Sequence, residues 1–174
     1  NGVASFFGDF TNAGAADVKG LEFEIVANPT ERLTVSGNFA YLDAEYTQFI
    51  DRGVDVSRLQ EMTNAPPYQA GLTVQYGWDL FGGELTGRVT GTYQGRVVPT
   101  TDLSPAIIQN PYALLGAGLI WRASDSPWPV SLQGSNLTDR AYRTTGYNIA
   151  ALGVLTGFYG PPRQVSLTLG YEFD

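Results

Sequence analysis

The chain has 174 residues, enough for one domain of ordinary size, and carries 10 Lys+Arg against 17 Asp+Glu for a formal net charge of −7. That balance leaves no basic stripe to neutralise phosphates and argues against a nucleic-acid partner. With 0 Cys and 0 His, thiol nucleophiles, imidazole bases and the usual zinc ligands are removed together, so no catalytic residue, metal ligand or cofactor is assigned and the chain is read as no enzyme.

The remaining composition points to β structure: Gly 21, Tyr 10 and Phe 9, with Thr-rich runs. The longest apolar stretch, Ala113 to Trp121, is too short and too glycine-rich for a spanning helix. Asn1 is not a start methionine, and the expectation is a piece of a longer protein.

In chain order, Ala4 to Thr11 is a weak strand built around Phe6, Phe7 and Phe10, followed by the loop-like Asn12 to Ala16. Lys19 to Ala27 alternates Leu21, Phe23, Ile25 and Ala27 against Glu22, Glu24 and Val26, and stops at the turn signal Asn28 to Arg32. From Leu33 the alternation resumes through Val35, Gly37, Phe39 and Tyr41. Beyond Tyr41 it gives way to Asp43-Ala-Glu45-Tyr46, the expected break where a long strand leaves a hydrocarbon band at an aromatic girdle.

After the polar segment Thr47 to Pro67, Tyr68 to Trp78 sets Ala70, Leu72, Val74, Tyr76 and Trp78 on one face. The tight turn Asp79 to Gly83 leads to Glu84 to Gln94, whose polar face Glu84, Thr86, Arg88, Thr90, Thr92 and Gln94 is complete. A loop, Gly95 to Asn110, precedes Pro111 to Arg122, with Ala113, Leu115, Ala117, Leu119 and Trp121 aligned. Trp128 to about Asn136 follows and is expected to continue through Leu137 to Thr145 before a third long loop, Gly146 to Pro161. The last strand points Val165, Leu167, Leu169, Tyr171 and Phe173 one way and Ser166, Thr168, Gly170 and Glu172 the other. About eight strands result.

Connections alternate between short turns and long loops, as in outer-membrane barrels, which puts the chain end on the short-turn, periplasmic side. The predicted fold is therefore all-β: an antiparallel transmembrane β-barrel segment in meander order, forming an open curved sheet by itself. A soluble lipocalin-like carrier would turn the apolar stripe inward and bury Leu132, Leu167 and Leu169. Against it stand the uniformly small polar face, the aromatics at strand ends and the scarcity of strand charges. Another alternative is a complete small eight-stranded outer-membrane barrel with a structural or adhesion role. There, pairing of Ala4 to Thr11 with Val165 to Phe173 would close the sheet.

Several segments also resemble a known family. Asn12-Ala-Gly-Ala-Ala-Asp-Val-Lys-Gly-Leu-Glu-Phe-Glu24 resembles the N-x-G-x-A-x-x-x-G-x-E-x-E segment of TonB-dependent outer-membrane receptors. Leu33 to Tyr46 is similar to the family's next strand and Asn64-Ala-Pro-Pro67 to the proline entry to the one after, while Asn136-Leu-Thr-Asp-Arg-Ala-Tyr142 is similar to the family's N-L-F-D-x-x-Y element with Thr138 in place of an aromatic. Gly160-Pro-Pro-Arg163 and the strand after it resemble the family's G-x-P-R ending, except that Asp174 follows Phe173.

The resemblance implies the C-terminal part, residues 1–174, of a siderophore-receptor-like barrel in the outer membrane of a Gram-negative bacterium. Its implied partners are outer-membrane lipid, the receptor's own plug domain and remaining barrel strands, the TonB complex, and a ferric siderophore or a similar scarce solute. An inward face of Ser, Thr, Gly and Ala suits a wide lumen filled by another domain, whereas eight strands alone would need bulky interior side chains. Arg88 and Glu172 on that face are lumen charges that such a domain could meet.

The carboxylate pairs Glu22/Glu24 and Asp43/Glu45 lack a cleft and are read as lumen or rim charges. Asn136-Leu-Thr138 matches a glycosylation sequon, but Asn136 and Asp139 are expected instead to hydrogen-bond local backbone at a bend. Ligand contact is assigned to the long loops, where Arg52, Arg58, Arg96, Tyr147 and Tyr159 offer the cations and aromatics that suit an anionic, aromatic chelate.

Overall fold

The structure, a computed structural model, describes residues 14–149 and 152–173. Ten strands follow one another: β1 (Gly14–Thr30), β2 (Leu33–Asp51), β3 (Val54–Asp55), β4 (Tyr68–Leu80), β5 (Gly83–Gln94), β6 (Tyr112–Ala123), β7 (Val130–Ser135), β8 (Arg143–Ile149), β9 (Val154–Tyr159) and β10 (Gln164–Leu169). One sheet runs β1-β2-β4-β5-β6-β7-β10, every pair antiparallel, with β3 attached to β2. Strands β8 and β9 form a separate hairpin. The sheet is not closed among the described residues: β1 pairs with β2 alone and β10 with β7 alone. The predicted strand Ala4 to Thr11 lies outside the described residues.

Turn chemistry sets the register of the short connections. Phe81 and Gly82 both have positive φ, 55° and 69°, between paired Leu80 and Gly83. Two left-handed central residues make the turn whose twist matches that of the flanking strands. Arg52 and Gly53, at 49° and 83°, do the same between β2 and β3.

With register fixed, the alternation seen in each strand becomes coherent across the sheet. Ala27, Val35, Val74, Val89, Ala117, Gly134 and Val165 form one unbroken cross-strand row. Leu33, Tyr76, Gly87, Leu119, Leu132 and Leu167 form the next. The opposite face aligns Thr34, Gln75, Arg88, Gly118, Gln133 and Ser166. The larger hollow of the sheet, about 840 Å³, lies on this polar face, while a shallower depression of about 540 Å³ on the apolar face follows the small residues Gly87, Ala117 and Gly134.

The apolar face is open to its surroundings. Leu132, Leu167 and Leu169 are 45%, 74% and 63% exposed, which removes the soluble-carrier alternative, since that fold would bury them. Aromatics bound the band at both ends. Tyr68 packs against Phe39 and Tyr41 at 6.4 and 5.3 Å at the loop end, while Tyr76–Trp78 and Trp128–Tyr171, both at 4.8 Å, occupy the turn end. Ten residue steps separate Tyr68 from Trp78, about 33 Å along a strand and ~25 Å across a layer at a tilt of about 40°, the height of an outer-membrane apolar band.

Four expectations need correction. The strand through Trp128 to Asn136 does not run on to Thr145: it ends at Ser135, because Asn136 takes a left-handed conformation, φ 45°. Gly146 to Pro161 is not a plain loop, since it contains β9 and most of β8. The segment Thr47 to Pro67 begins as strand, because β2 persists to Asp51 through pairing with β1 and β3. β1 likewise starts earlier than the alternation suggests, at Gly14.

Candidate functional site

The functional surface has two parts, the polar inner wall and the loop end above it. On the wall, Arg88 donates to Gln75 Oε1 from Nε and Nη2 at 3.1 and 2.8 Å, and Thr73 pairs with Thr90 at 3.1 Å. These are the partners that the cross-strand register puts opposite one another. Towards the turn end the wall becomes charged and internally paired: Arg32 with Asp79, and Arg122 with Glu172 at 3.4 Å. Glu172, foreseen as a lumen charge, is thus engaged by the wall itself.

At the loop end, a small core forms away from the membrane band. Val98 and Ile107 are buried, and Ile107 fits beneath Gly146 of the β8–β9 hairpin. A Cβ at Gly146 would lie 2.9 Å from Ile107 Cγ2 and 2.8 Å from the Thr156 carbonyl, so glycine is required there. Buried Gln109 accepts from the Arg143 backbone N–H at 2.7 Å, and Arg143 Nη2 donates to the Ile108 carbonyl at 3.0 Å. Asp102 adds a further tie. Partial burial raises its carboxyl pKa, but hydrogen bonds from Thr100, Asn148 and the Ser104 backbone N–H outweigh that and hold it below its ordinary value.

A clasp joins this hairpin to the wall. Asn136 Nδ2 donates to the carbonyls of Arg140 and Pro161 at 2.9 and 3.0 Å, while its Oδ1 accepts from the Arg140 N–H at 2.8 Å. Asp139 accepts from the Arg163 N–H at 2.9 Å. Asn136 bonds local backbone at Arg140, as its short polar side chain predicts, but its other partner, Pro161, and the Arg163 partner of Asp139 lie 25 and 24 residues along the chain, so the expectation of purely local bonding is corrected there. Tyr142 stacks on Tyr112 at 4.7 Å and lies directly over Gly160, and Leu137 covers Gly134.

The five loop residues assigned to ligand contact occupy separate places. Arg52 forms the β2–β3 turn, and Arg58 sits in a short 3-10 turn, Ser57–Leu59; both are exposed. Arg96 is ion-paired with Glu61 through both terminal nitrogens. Tyr147 stands edge-on to Phe158 at 6.2 Å on the hairpin, and Tyr159 is at its base opposite Arg143. No hydrogen bond, ion pair or ring contact links any two of the five among the described residues.

What the structure does assemble at the loop end is a polar recess of about 270 Å³ lined by Asn64, Gln69, Gln94, Gln109, Tyr112 and Arg143. Carboxamides carry no charge signature, which is why sequence reasoning passed over them. The available signal was the apolar content of the loop, Val97, Val98, Leu103, Ile107 and Ile108, of which Val98 and Ile107 are buried.

The fold has known counterparts. The family described as TonB dependent receptor-like, beta-barrel matches residues 1–170. The ferric yersiniabactin uptake receptor FyuA from Yersinia pestis is similar with 27% identity and a TM-score of 0.79, over 94% of this chain and 24% of its own. The siderophore receptor PiuA and the ferric preacinetobactin receptor BauA, both from Acinetobacter baumannii, share the fold. Their TM-scores are 0.70 and 0.66, at 20% and 22% identity, over 90% and 91% of this chain and 22% of each receptor. The chain thus spans about a quarter of the length of these structures.

Proposed function

This chain belongs to the TonB-dependent receptor-like β-barrel family, and from that premise we propose that it forms part of the wall of a transporter importing a ferric siderophore or a similar scarce solute across the outer membrane of a Gram-negative bacterium. The observation that carries the reading is the apolar face: unbroken cross-strand rows, exposed, and bounded by aromatics at the spacing of one lipid hydrocarbon layer. Its similarity to a ferric-chelate receptor supports the choice of cargo.

In this reading the two-residue turns and the chain end face the periplasm. The remaining strands and a plug domain come from sequence beyond residues 1–174, and the TonB complex acts through that region. Arg52, Arg58, Tyr147 and Tyr159 are available to an anionic, aromatic chelate at the loop end, and Arg96 becomes available on exchanging Glu61 for the ligand.

The test uses the full-length protein in a Gram-negative host stripped of its own ferric-chelate receptors. A chelate that restores growth under iron limitation, and does so only when TonB is present, supports the proposal. A protein that inserts into the outer membrane yet gives no TonB-dependent uptake of any chelate, cobalamin or other solute overturns it in favour of a structural or adhesion barrel.

A further inference from the structure

Glycine weakens a strand interior unless a turn, a bulge or a close approach requires it. Among the described residues, a Cβ would enter open space at four glycines, Gly53, Gly82, Gly91 and Gly153. Three of these have the positive φ of turn residues, and Gly91 does not. It lies inside β5, opposite Leu72 on β4 and Leu115 on β6, on the apolar face that also carries Val89 and Tyr93. Neither backbone conformation nor a packed neighbour within the wall requires a glycine there.

Gly91 is instead the floor of a pocket of about 370 Å³ in the apolar face, lined also by Leu72, Leu115, Ala70 and Ala113. The two alanines stand opposite Tyr93 on either side, which keeps the ring's surroundings shallow. Thr138 completes the lining. The Leu137 N–H, bonded to the Leu115 carbonyl at 2.8 Å, holds that bend against β6. Where the resembled N-L-F-D-x-x-Y element carries an aromatic, this chain has a side chain too short to fill the space.

Depth decides which leaflet the pocket faces. Leu72 is four residue steps from Tyr68 and six from Trp78, about 10 Å below the loop-end girdle of a band ~25 Å high. The mouth is continuous with the exposed apolar rows, so hydrocarbon surrounds it. In that medium burial alone does not favour one occupant, because lipid tails are as apolar as leucine; shape and charge must supply the preference. An unfilled pit forfeits dispersion contacts that a flexible chain recovers. The charge is Arg140, exposed, two residues beyond Thr138 and in no ion pair among the described residues. Its N–H and carbonyl are fixed by Asn136, and the adjacent Asp139 carboxylate accepts from the Arg163 N–H.

We propose that this pocket seats one acyl chain of a phosphorylated glycolipid of the outer leaflet, the chain lying on Gly91 and a phosphate meeting Arg140. The lipid is a bound one, distinct from the freely exchanging lipids along the rest of the apolar face. The inference rests on the reading of the chain as a barrel wall whose loop end faces the cell exterior.

Native mass spectrometry of the full-length receptor, extracted from native outer membranes in mild detergent, tests it. One glycolipid per receptor should survive activation that strips the other lipids. Thr138→Phe and, independently, Gly91→Leu fill the pocket and should abolish that species. Arg140→Gln should lower its retention about fivefold, the worth of one arginine against an anionic headgroup. A retained phospholipid or a second receptor copy in its place, or retention indifferent to any of the three variants, overturns the proposal. A control separates this from the barrel reading: p-benzoylphenylalanine replacing Leu167, 74% exposed on the same face and away from the pocket, should label lipid in the membrane. Lipid labelling at Leu167 with no retained glycolipid overturns the inference alone. No lipid labelling at Leu167 overturns the barrel reading, and the inference with it.

Discussion

Replacing Asn136 by alanine should loosen the loop end while leaving the wall intact. Asn136 is 6% exposed, and its truncation orphans the carbonyls of Arg140 and Pro161 and the N–H of Arg140. At about 1 kcal/mol for each orphaned group, and about 1 more for holding alanine at the φ of 45° that asparagine accepts, the clasp loses roughly 4 kcal/mol. That is about a thousandfold in its opening equilibrium. Asn136→Gly keeps the hydrogen-bond loss but removes the conformational cost, and should recover about 1 kcal/mol.

The assay is amide hydrogen exchange of the full-length protein in phospholipid vesicles, comparing the Arg140 amide and the β8–β9 hairpin with β4 and β5. Exchange should accelerate in the first two and stay constant in the others. An alanine variant within about 0.5 kcal/mol of wild type at the hairpin would refute the clasp as the element holding it.

Gly160→Ala puts a Cβ inside the Tyr142 ring, so it should displace that ring from Tyr112 and cost about 1–3 kcal/mol, read as a change in tyrosine near-ultraviolet dichroism. Val89 and Thr90 are neighbours on opposite faces of β5. Val89→Arg should cost about 2–4 kcal/mol of stability in vesicles and Thr90→Arg far less, with the reverse order assigning lipid to the wrong face. Asp55 lies beyond the membrane band, and the N–H groups of Ser57 and Phe49, bonded to its carboxylate at 2.9 and 3.1 Å, hold its pKa below the ordinary value. A depressed carboxyl pKa stabilises the β2–β3 turn above the unfolded value and is lost as pH falls through the folded one. Protection of those two amides should therefore persist through neutral pH and collapse only under acid, and Asp55→Ala should abolish it at every pH.

Within the membrane band the sequence was close to transparent, because each residue there answers to one of two environments and the side-chain period is two. Leu72, Val74, Tyr76 and Trp78 could be assigned to the lipid side by counting, and the cross-strand rows follow from that count plus two-residue turns such as Phe81-Gly82. Outside the band the constraint lapses. β8 and β9 were missed because Tyr147, Ile149, Val154 and Phe158 are placed by pairing with each other and by Ile107 beneath Gly146, contacts that no local pattern encodes. Loop cations such as Arg96 looked free because Glu61, which pairs with it, lies in the preceding long connection. Asn136 was legible for the opposite reason, because its bonds to Arg140 are local, whereas Pro161 and Arg163, the distant partners of Asn136 and Asp139, are brought in by the fold.

The meander has a kinetic corollary. The neighbouring pairs β1-β2 and β4-β5 meet across two-residue turns, but β7 and β10 must find each other across everything from Asn136 to Arg163. Closing that stretch rather than a two-residue turn costs about 2 kcal/mol more in chain entropy, and it is paid before Ser135 and Gln164 come into register. The last strand should then dock late and slowly in assembly, after the Asn136 bonds have drawn Arg140 and Pro161 together and shortened the search.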